Sequence, residues 1–470
     1  MKKSAYLLSL VQNKQAMTFM QQLHLAALLS IPAIIAQFSS IIMQYIDASM
    51  VGRLGANASA SIGLVITSTW LFWGICTTVA AGFSVQVAHL IGAGDRRGAR
   101  SVLRQAILST LLFSFTLVAI GVSVSQKLPY WLGGDAAIAE DASKYFLIFV
   151  LSLPALQLNF LASGMLRSSG NMHVPSVLNV VMCVMDVVFN FLLIFPSREL
   201  QFLGYDIFIP GADLGVTGAA IGTASAYLIT AIMLFWYLFT KDENLRLTKE
   251  KGSFRPKEST LRRAFKISMP MSLEHTVIMG AQILSTIIVA PLGVASIAAN
   301  SFAITAESLC YMPGYGIAEA ATTLVGQSFG AKRKDLAKRF AFITVFMGMA
   351  VMTILGAVMY FTAPQIIGFM TPDPEILSLG VMALRIEAFA EPMFAASIVA
   401  YGVFVGAGDT LVPSIMNLGS MWAIRLILAA ILAPIMGLKG VWIAMCIELC
   451  FRGIIFLYRL FQGKWLKHSI

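Results

Sequence analysis

PAIIAQFSSIIMQYIDASMVGRLG, Pro32 to Gly55, is the stretch that decides what kind of protein this is. Just upstream of its one acid, Asp47, Leu25 to Ile46 forms 22 uncharged and mostly apolar residues. That is long enough to cross a bilayer as a helix. Within it Gln37, Ser40, Gln44 and Asp47 recur at spacings of 3, 4 and 3, which aligns all four on one narrow helix face. An ionisable group at membrane depth is costly and faces a partner or a cavity. Two readings stand: a polar seam packed on another helix, or a wet cavity in which Asp47 binds a proton or cation. The second is the working expectation. Pro32 removes a backbone donor and predicts a kink.

Composition generalises this reading. The 470 residues are 58% hydrophobic and 12% charged, with mean hydropathy +0.80. Such a chain is an integral membrane protein of many helices. The net charge of +10 is spread over alternate loops and forms no single patch, so no nucleic-acid partner is expected. Five cysteines all lie in apolar runs, which speaks against a disulfide framework. Residues 1–23 lack the apolar run of a cleavable signal; an interfacial helix and a disordered tail are equal expectations.

Twelve spans are expected, at 25–51, 59–91, 99–125, 138–167, 173–195, 214–240, 263–290, 296–329, 337–362, 375–405, 411–434 and 438–461. Basic residues cluster before the first span, around Arg96–Arg104, along Lys241–Lys266, around Lys332–Arg339 and at the end of the chain. The opposite loops carry Asp135, Glu140, Asp141, Asp373 and Glu375. This bias places both termini in the cytoplasm of a multi-pass protein of the cell (inner) membrane.

The chain is also duplicated. Pro32 and Pro270 are 238 apart, and so are Gly55 and Gly293, Gly92 and Gly330, Pro154 and Pro392, Gly170 and Gly408, and Asn179 and Asn417. After the fifth span the offset drops to 222, at Gly215–Gly437 and Gly218–Gly440, so the first half holds about 16 extra residues. They fall in Pro196–Leu214, which suits a small external hairpin. Six spans per half is an even number, so the halves share one orientation. The expected fold is therefore an all-α integral membrane protein. Its twelve transmembrane helices form two six-helix bundles related by a pseudo-two-fold axis along the membrane normal. The bundles comprise residues 1–240 and 263–470, and residues 241–262 form a cytoplasmic linker.

Several motifs now fall into a known order. They are IDASMVGRLG at Ile46–Gly55, VAHLIGAGD at Val87–Asp95 with its repeat VGQSFGAKR at Val325–Arg333, and GMLRSSGNMHVPSVLN at Gly164–Asn179 with its repeat GVFVGAGDTLVPSIMN at Gly402–Asn417. FNFLLIF at Phe189–Phe195 and LGVTGAAIGT at Leu214–Thr223 complete the set. In this order the chain resembles the multidrug and toxic compound extrusion (MATE) transporters, prokaryotic type, over essentially its whole length. The resemblance implies a central cavity and export of organic cations or amphiphiles in exchange for protons or sodium ions. It also implies a coupling-ion site at Asp47. In the fifth span the family commonly has Asn and then Asp one turn later; here Asp186 and Asn190 stand in exchanged places. The position matching Asp47 in the second half is Ser285. A seventh-span glutamate of some members is replaced by Ile278, with Glu274 one turn earlier.

The residues themselves point the same way. Asp186 and Asn190 are four apart and share a helix face. Two carboxylates sharing a cavity titrate together, so Asp47 and Asp186 form the expected coupling pair, joined by Gln44 or Asn190. The exchange moves the acid one turn inward and predicts a longer Asp47–Asp186 separation. Gln37, Glu274, Glu307, Tyr311, Glu387 and Glu391 are the candidate substrate-cavity residues. A carboxylate beside aromatic faces, Glu307 with Tyr311 and Tyr315, suits a soft cation, although tyrosines also pack between helices. Glu387 and Glu391 flank a proline at membrane depth. Glu274 is expected to pair with His275 or Arg425, Glu448 with Arg452, and Glu319 to act nearer the cytoplasm as a gate.

Three functions compete. The first is a secondary antiporter acting as a monomer on small cationic or amphiphilic substrates among membrane lipid, with no cofactor beyond the H+ or Na+ it couples to. The second is a flippase for a lipid or lipid-linked glycan, which favours a basic cavity. The third, a membrane enzyme, needs paired aspartate motifs that the chain lacks. The topology is testable: a cysteine introduced at Ser253 should react with an impermeant thiol reagent only from the cytoplasm, and one at Ser197 only from outside. Reaction of both from one face refutes twelve spans.

Overall fold

The computed structural model describes residues 2–202 and 205–467 and is helical almost throughout. The first six spans are Phe19–Gly52, Ala56–Gly92, Arg96–Val124, Ala136–Ser168, His173–Ile194 and Gly215–Thr240. The next six are Glu258–Val289, Val294–Gly330, Lys334–Met370, the bent pair Pro374–Ala388 and Glu391–Ala407, Leu411–Met436 and Leu438–Gln462. All but the eighth are apolar enough by composition to cross a bilayer. The eighth is 37 residues long but carries Glu307 and Glu319. It packs against spans 1, 2, 9 and 10, so it has little need of a lipid-facing surface. The helix Lys2–Gln12, the turn Lys464–Lys467 and the linker lie on one side, called here the terminal side.

Local chemistry sets the element ends. Thr18 and Gln21 form a reciprocal capping box that starts the first span. Asp373 accepts the N–H groups of Glu375 and Ile376 to start the tenth. Pro196–Phe202 and Tyr205–Ala212 pair as an antiparallel hairpin on the far side, where the extra residues of the first half were expected. Pro32 sits inside one continuous helix and does not break it.

Two irregularities are confined to the second half. Span 10 breaks between Ala388 and Glu391 with a 59° bend, whereas its counterpart, span 4, carries Pro154 within a single helix. Span 11 passes through a π-helical turn at Met421–Leu426.

The bundles meet about the expected axis. Span 1 packs on span 8 and span 7 on span 2, while spans 2 and 8 meet at the centre. Equivalent residues make equivalent bonds. His89 Nε2 lies 2.8 Å from the carbonyl of Gly406, and Gln327 donates to the carbonyl of Ser168 at 2.9 Å. Each of these pairs maps onto the other by the 238-residue offset. Glycines permit this approach. A Cβ on Gly92 would lie 2.0 Å from the Gln327 carbonyl oxygen, and one on Gly330 would lie 1.8 Å from that of His89. Towards the far side Tyr45 of span 1 still donates to the Thr305 carbonyl of span 8 at 2.7 Å, and beyond it a Cβ on Gly52, Gly55, Gly63 or Gly293 would meet nothing within 4 Å. The cleft between the bundles is therefore closed at the terminal side and looser towards the far side.

The chain start is a docked helix, Lys2–Gln12, and not a free tail. Its Leu7, Leu8, Leu10 and Val11 are buried with Leu25 and Leu29 of span 1, Met172, and Ala331, Leu336 and Phe340 of the second bundle. Arg333 donates to the carbonyl of Gln15 at 2.7 Å. The helix thus touches both bundles across the closed side. The linker, by contrast, sits on the first bundle. Arg100 reaches Glu250 and the Asn244 carbonyl, and Asp242 accepts from Asn244, Leu245 and Ser169. Burial pushes the Asp242 carboxyl above its ordinary range despite those donors.

The glycine contact gives a test. Gly330→Ala places a methyl group into the His89 carbonyl and must part the bundles at the terminal side. The expected result is a lower melting temperature, by about 1–3 kcal/mol of overpacking, and stronger labelling of terminal-side cysteines. Gly293→Leu, which meets open space but has φ +104°, should report backbone strain without parting the bundles.

Candidate functional site

The polar stripe of span 1 is split between two neighbours. Asn179 of span 5 donates to Ser40 Oγ at 3.0 Å and to the Ala36 carbonyl at 3.1 Å. Gln37 points the other way and donates to Glu319 of span 8 at 3.3 Å. Gln44 is exposed and makes no bond to the acid pair; it is not the expected bridge.

Asn190 is the bridge. Its Nδ2 donates to Asp47 Oδ1 at 2.9 Å and to Asp186 Oδ2 at 3.2 Å. The two carboxylates thus share one amide, and their bonded oxygens are no more than about 6 Å apart. The amide that took the outer position spans both acids, with Asp186 one turn deeper on span 5. Asp186 and Asn190 are buried, and Asp47 is partly open. Gly222 of span 6 makes room: a Cβ there would lie 2.1 Å from Asn190 Oδ1. Thr223, Tyr145 and Tyr227 surround the acids. Two close carboxylates in a low-dielectric site repel unless one is protonated or a cation joins them.

The second bundle gathers different acids. One oxygen each of Glu307, Glu387 and Glu391 lies within 4.8 Å of the others. Glu387 and Glu391 flank the bend in span 10 and face Glu307 of span 8. All three are buried; neither oxygen of Glu387 has a hydrogen-bond partner, and Glu391 has the Cys310 thiol beside it. They lie inside the bundle and not on the wall of the cleft. Tyr311 is one turn from Glu307 and packs edge-on against Tyr315 and Phe394, at ring separations of 6.0 and 5.5 Å. The oxygen set suits a proton or a hard cation.

Glu274 departs from expectation. It forms no ion pair with His275 or Arg425. Instead it accepts from Tyr401 Oη and Asn417 Nδ2, both at 2.6 Å. The next residue along a helix is turned by about 100°, which carries His275 into the notch left by Gly74, with Nε2 3.1 Å from the Trp70 carbonyl. Arg425 is held elsewhere. Arg425 and Arg452 both pair with Glu448, at 2.6 Å each, and Ser420 donates to the same carboxylate. The i, i+4 pair of Glu448 and Arg452 was foreseen; the third member was not.

Reasoning from sequence also missed Asn417 and Tyr401. Asn417 carried a signal, since it is the repeat partner of Asn179 and donates to span 7 as Asn179 does to span 1. Arg167 of span 4, paired with Glu319 at 2.8 Å, carried only that of a lone cation in an apolar run.

Two symmetry-related bundles, a cleft closed at one end and buried acids within each bundle define a two-lobed membrane transporter. Comparison with known sequences is specific: the MatE family model matches residues 32–192 and again 270–431, one copy per bundle. The chain belongs to the MatE family. It is similar to the probable multidrug resistance protein NorM of Thermotoga maritima, 23% identical with 94% of this chain and 93% of that protein covered. It is likewise similar to the probable multidrug resistance protein NorM of Bacillus thuringiensis subsp. konkukian, 26% identical with 96% and 97% covered. Solved structures share the fold. MATE in complex with MaD3S aligns with TM-score 0.87 and 21% identity over 98% of this chain and 99% of that one. A MOP superfamily transporter from Pyrococcus furiosus, for which reverse polarity of the binding pocket suggests a different function, aligns with TM-score 0.86 and 20% identity over 98% and 99%.

The buried charges predict opposite stability effects. Glu448→Gln strands Arg425 and Arg452 and should cost about 3 kcal/mol, read as a lower melting temperature in detergent. Glu387→Gln removes a buried carboxyl without protein partners and should leave melting unchanged or raise it. Destabilisation by both would mean that Glu387 is held by contacts of its own.

Proposed function

We propose that the chain exports several small amphiphilic or cationic compounds in exchange for protons or sodium ions. It would do so as a monomer in the cell membrane, by alternating access of the cleft. The observation that carries this reading is the single Asn190 amide bonded to both Asp47 and Asp186. An amide cannot titrate, so the charge state of the pair depends on the ion it holds. Asp47 has access to water, whereas Asp186 is sealed, so an ion entering from the cleft meets Asp47 first. The relatives named for multidrug resistance support the substrate class. The basic loops support a cytoplasmic terminal side, and with that orientation the cleft faces outward. Bundles rocking about the contacts near Gly92 and Gly330 would reverse it.

Binding of the ion drives the cycle only if it favours one state. The shared amide supplies that difference if rocking alters the span 1–span 5 packing. Glu307, Glu387 and Glu391 are proposed as a second acidic site, for substrate or ion, reached when the bend in span 10 opens. A flippase holding phosphates is less well served. In the second bundle the partly buried Arg425 and Arg452 are already taken by Glu448 and Arg459 by Asp409, and the fully buried charges among the described residues there are acids.

The test is exchange in proteoliposomes under an imposed pH or sodium gradient, with cationic dyes. Asp47→Asn should still bind dye but lose gradient-driven exchange by more than about tenfold, and Asp186→Asn should do nearly as much damage. Asp186→Asn with Asn190→Asp returns two carboxylates and one amide to the same three places and should restore a substantial part. Asn190→Ala should slow exchange without abolishing it. Wild-type rate and pH dependence in Asp47→Asn would remove Asp47 from coupling, and inertness of the wild-type protein to both gradients would overturn antiport.

A further inference from the structure

One charged contact bridges the bundles and lies outside both acid sites. Arg167, at the terminal-side end of span 4, places Nη1 2.8 Å from Glu319 Oε1 of span 8. Gln37 of span 1 donates to the same oxygen at 3.3 Å. Thr323, one turn beyond Glu319, donates to the Arg167 carbonyl at 3.2 Å and ties the two spans together. The repeat has no second copy: the positions equivalent to Arg167 and Glu319 are Val405 and Ala81.

The pair is incompletely satisfied. Glu319 Oε2 and Arg167 Nε are buried without hydrogen-bond partners. Both side chains still keep about a quarter of their surface open, 26% and 25%. Glu319 lies 11 residues before Gly330, or about 16 Å along the helix from the closed end. That sets the pair inward of the closed end, on the face where the two bundles meet. A buried carboxylate with a spare oxygen is a receptor for a cation, and here the protein supplies its own.

We propose that Glu319 is the cation-binding point for the transported substrate and that Arg167 is its internal competitor. The inference rests on the export reading above. In the state seen, the Arg167 guanidinium occupies the place that an organic ammonium or phosphonium group takes. Opening the terminal side moves span 4 away from span 8, parts Arg167 from Glu319 and frees the carboxylate for substrate. Closing it returns Arg167, which displaces the substrate into the far-side cleft. The carboxylate is thus never left without a cation, and the pair biases release to one side. Arg167 is a positioning residue in this scheme, and Glu319 touches substrate. A merely structural lock has a different signature, because then both partners only hold the bundles together.

The experiment is equilibrium binding of tetraphenylphosphonium to the full-length protein in detergent, with melting temperature as the folding control. Glu319→Gln and Arg167→Gln both keep side-chain size close to the original. The expected result is opposite signs: Glu319→Gln weakens binding about tenfold or more, and Arg167→Gln strengthens it, because the competitor is gone. Unchanged affinity in Glu319→Gln, or weakening of equal size in both variants, overturns the proposal while leaving export intact. If either glutamine variant fails to fold, Glu319→Asp, which retains the charge, must bind at least as tightly as a folded Glu319→Ala; equal affinity of those two overturns it as well. A wild-type protein that binds neither this ion nor any of a panel of organic cations overturns the export reading, and this proposal with it.

Discussion

Everything in this molecule is referred to one close contact between backbones. Gly92 lies on the Gln327 carbonyl and Gly330 on the His89 carbonyl, so helices 2 and 8 approach closer than any side chain would permit. Because the residues are related by the repeat, the contact is made twice and lies on the axis of the molecule. It fixes which end of the cleft is shut. The bonds from His89 and Gln327 to backbone carbonyls add direction to an approach that packing alone would leave free to slide. Membrane helices lack a hydrophobic drive to associate in lipid, so close packing of small residues and bonds between helices must supply it.

Around this symmetric centre the chemistry is unequal. The first bundle puts Asp47, Asp186 and Asn190 on spans 1 and 5; the equivalent positions in the second are Ser285, Ile424 and Leu428. The second puts Glu307, Glu387 and Glu391 on spans 8 and 10; the equivalents in the first are Thr69, Phe149 and Leu153. Neither bundle duplicates the other's acids, although their packing is duplicated in detail. Only the second set goes with a distorted host. In the second bundle the acids accompany a broken helix, and a π-turn carries Arg425 towards Glu448. Irregular backbone at membrane depth is tolerated where it is buried in protein.

The spans and the repeat were legible because hydropathy and a constant offset survive without knowledge of contacts. The Asp47, Asp186 and Asn190 grouping was legible too, since two of its members share a helix face and the third ends a polar stripe. What could not be read was rotation between helices. Glu274 and His275 are adjacent in sequence yet serve different neighbours, Asn417 with Tyr401 on one side and the Trp70 carbonyl on the other. Arg167 and Glu319 are separated by 152 residues and belong to different bundles. The break at Phe389–Ala390 was hidden for another reason. Pro154 and Pro392 look alike in sequence, and only the second interrupts its helix. The docked N-terminal helix was undecidable because its apolar face is short, and its seat is built from residues far along the chain.

That last point bears on how the protein is made. Leu8 leaves the ribosome long before its seat, which is completed by Ala331, Leu336 and Phe340. Those emerge about 330 residues later, when the first bundle and the seventh and eighth spans already exist and the ninth has just begun. At elongation rates of about 5–20 residues per second, the leading helix waits tens of seconds for its place. During that interval its leucines must be sheltered by lipid or by a chaperone. The Lys2–Gln12 helix can therefore settle only once residues of both halves have come together.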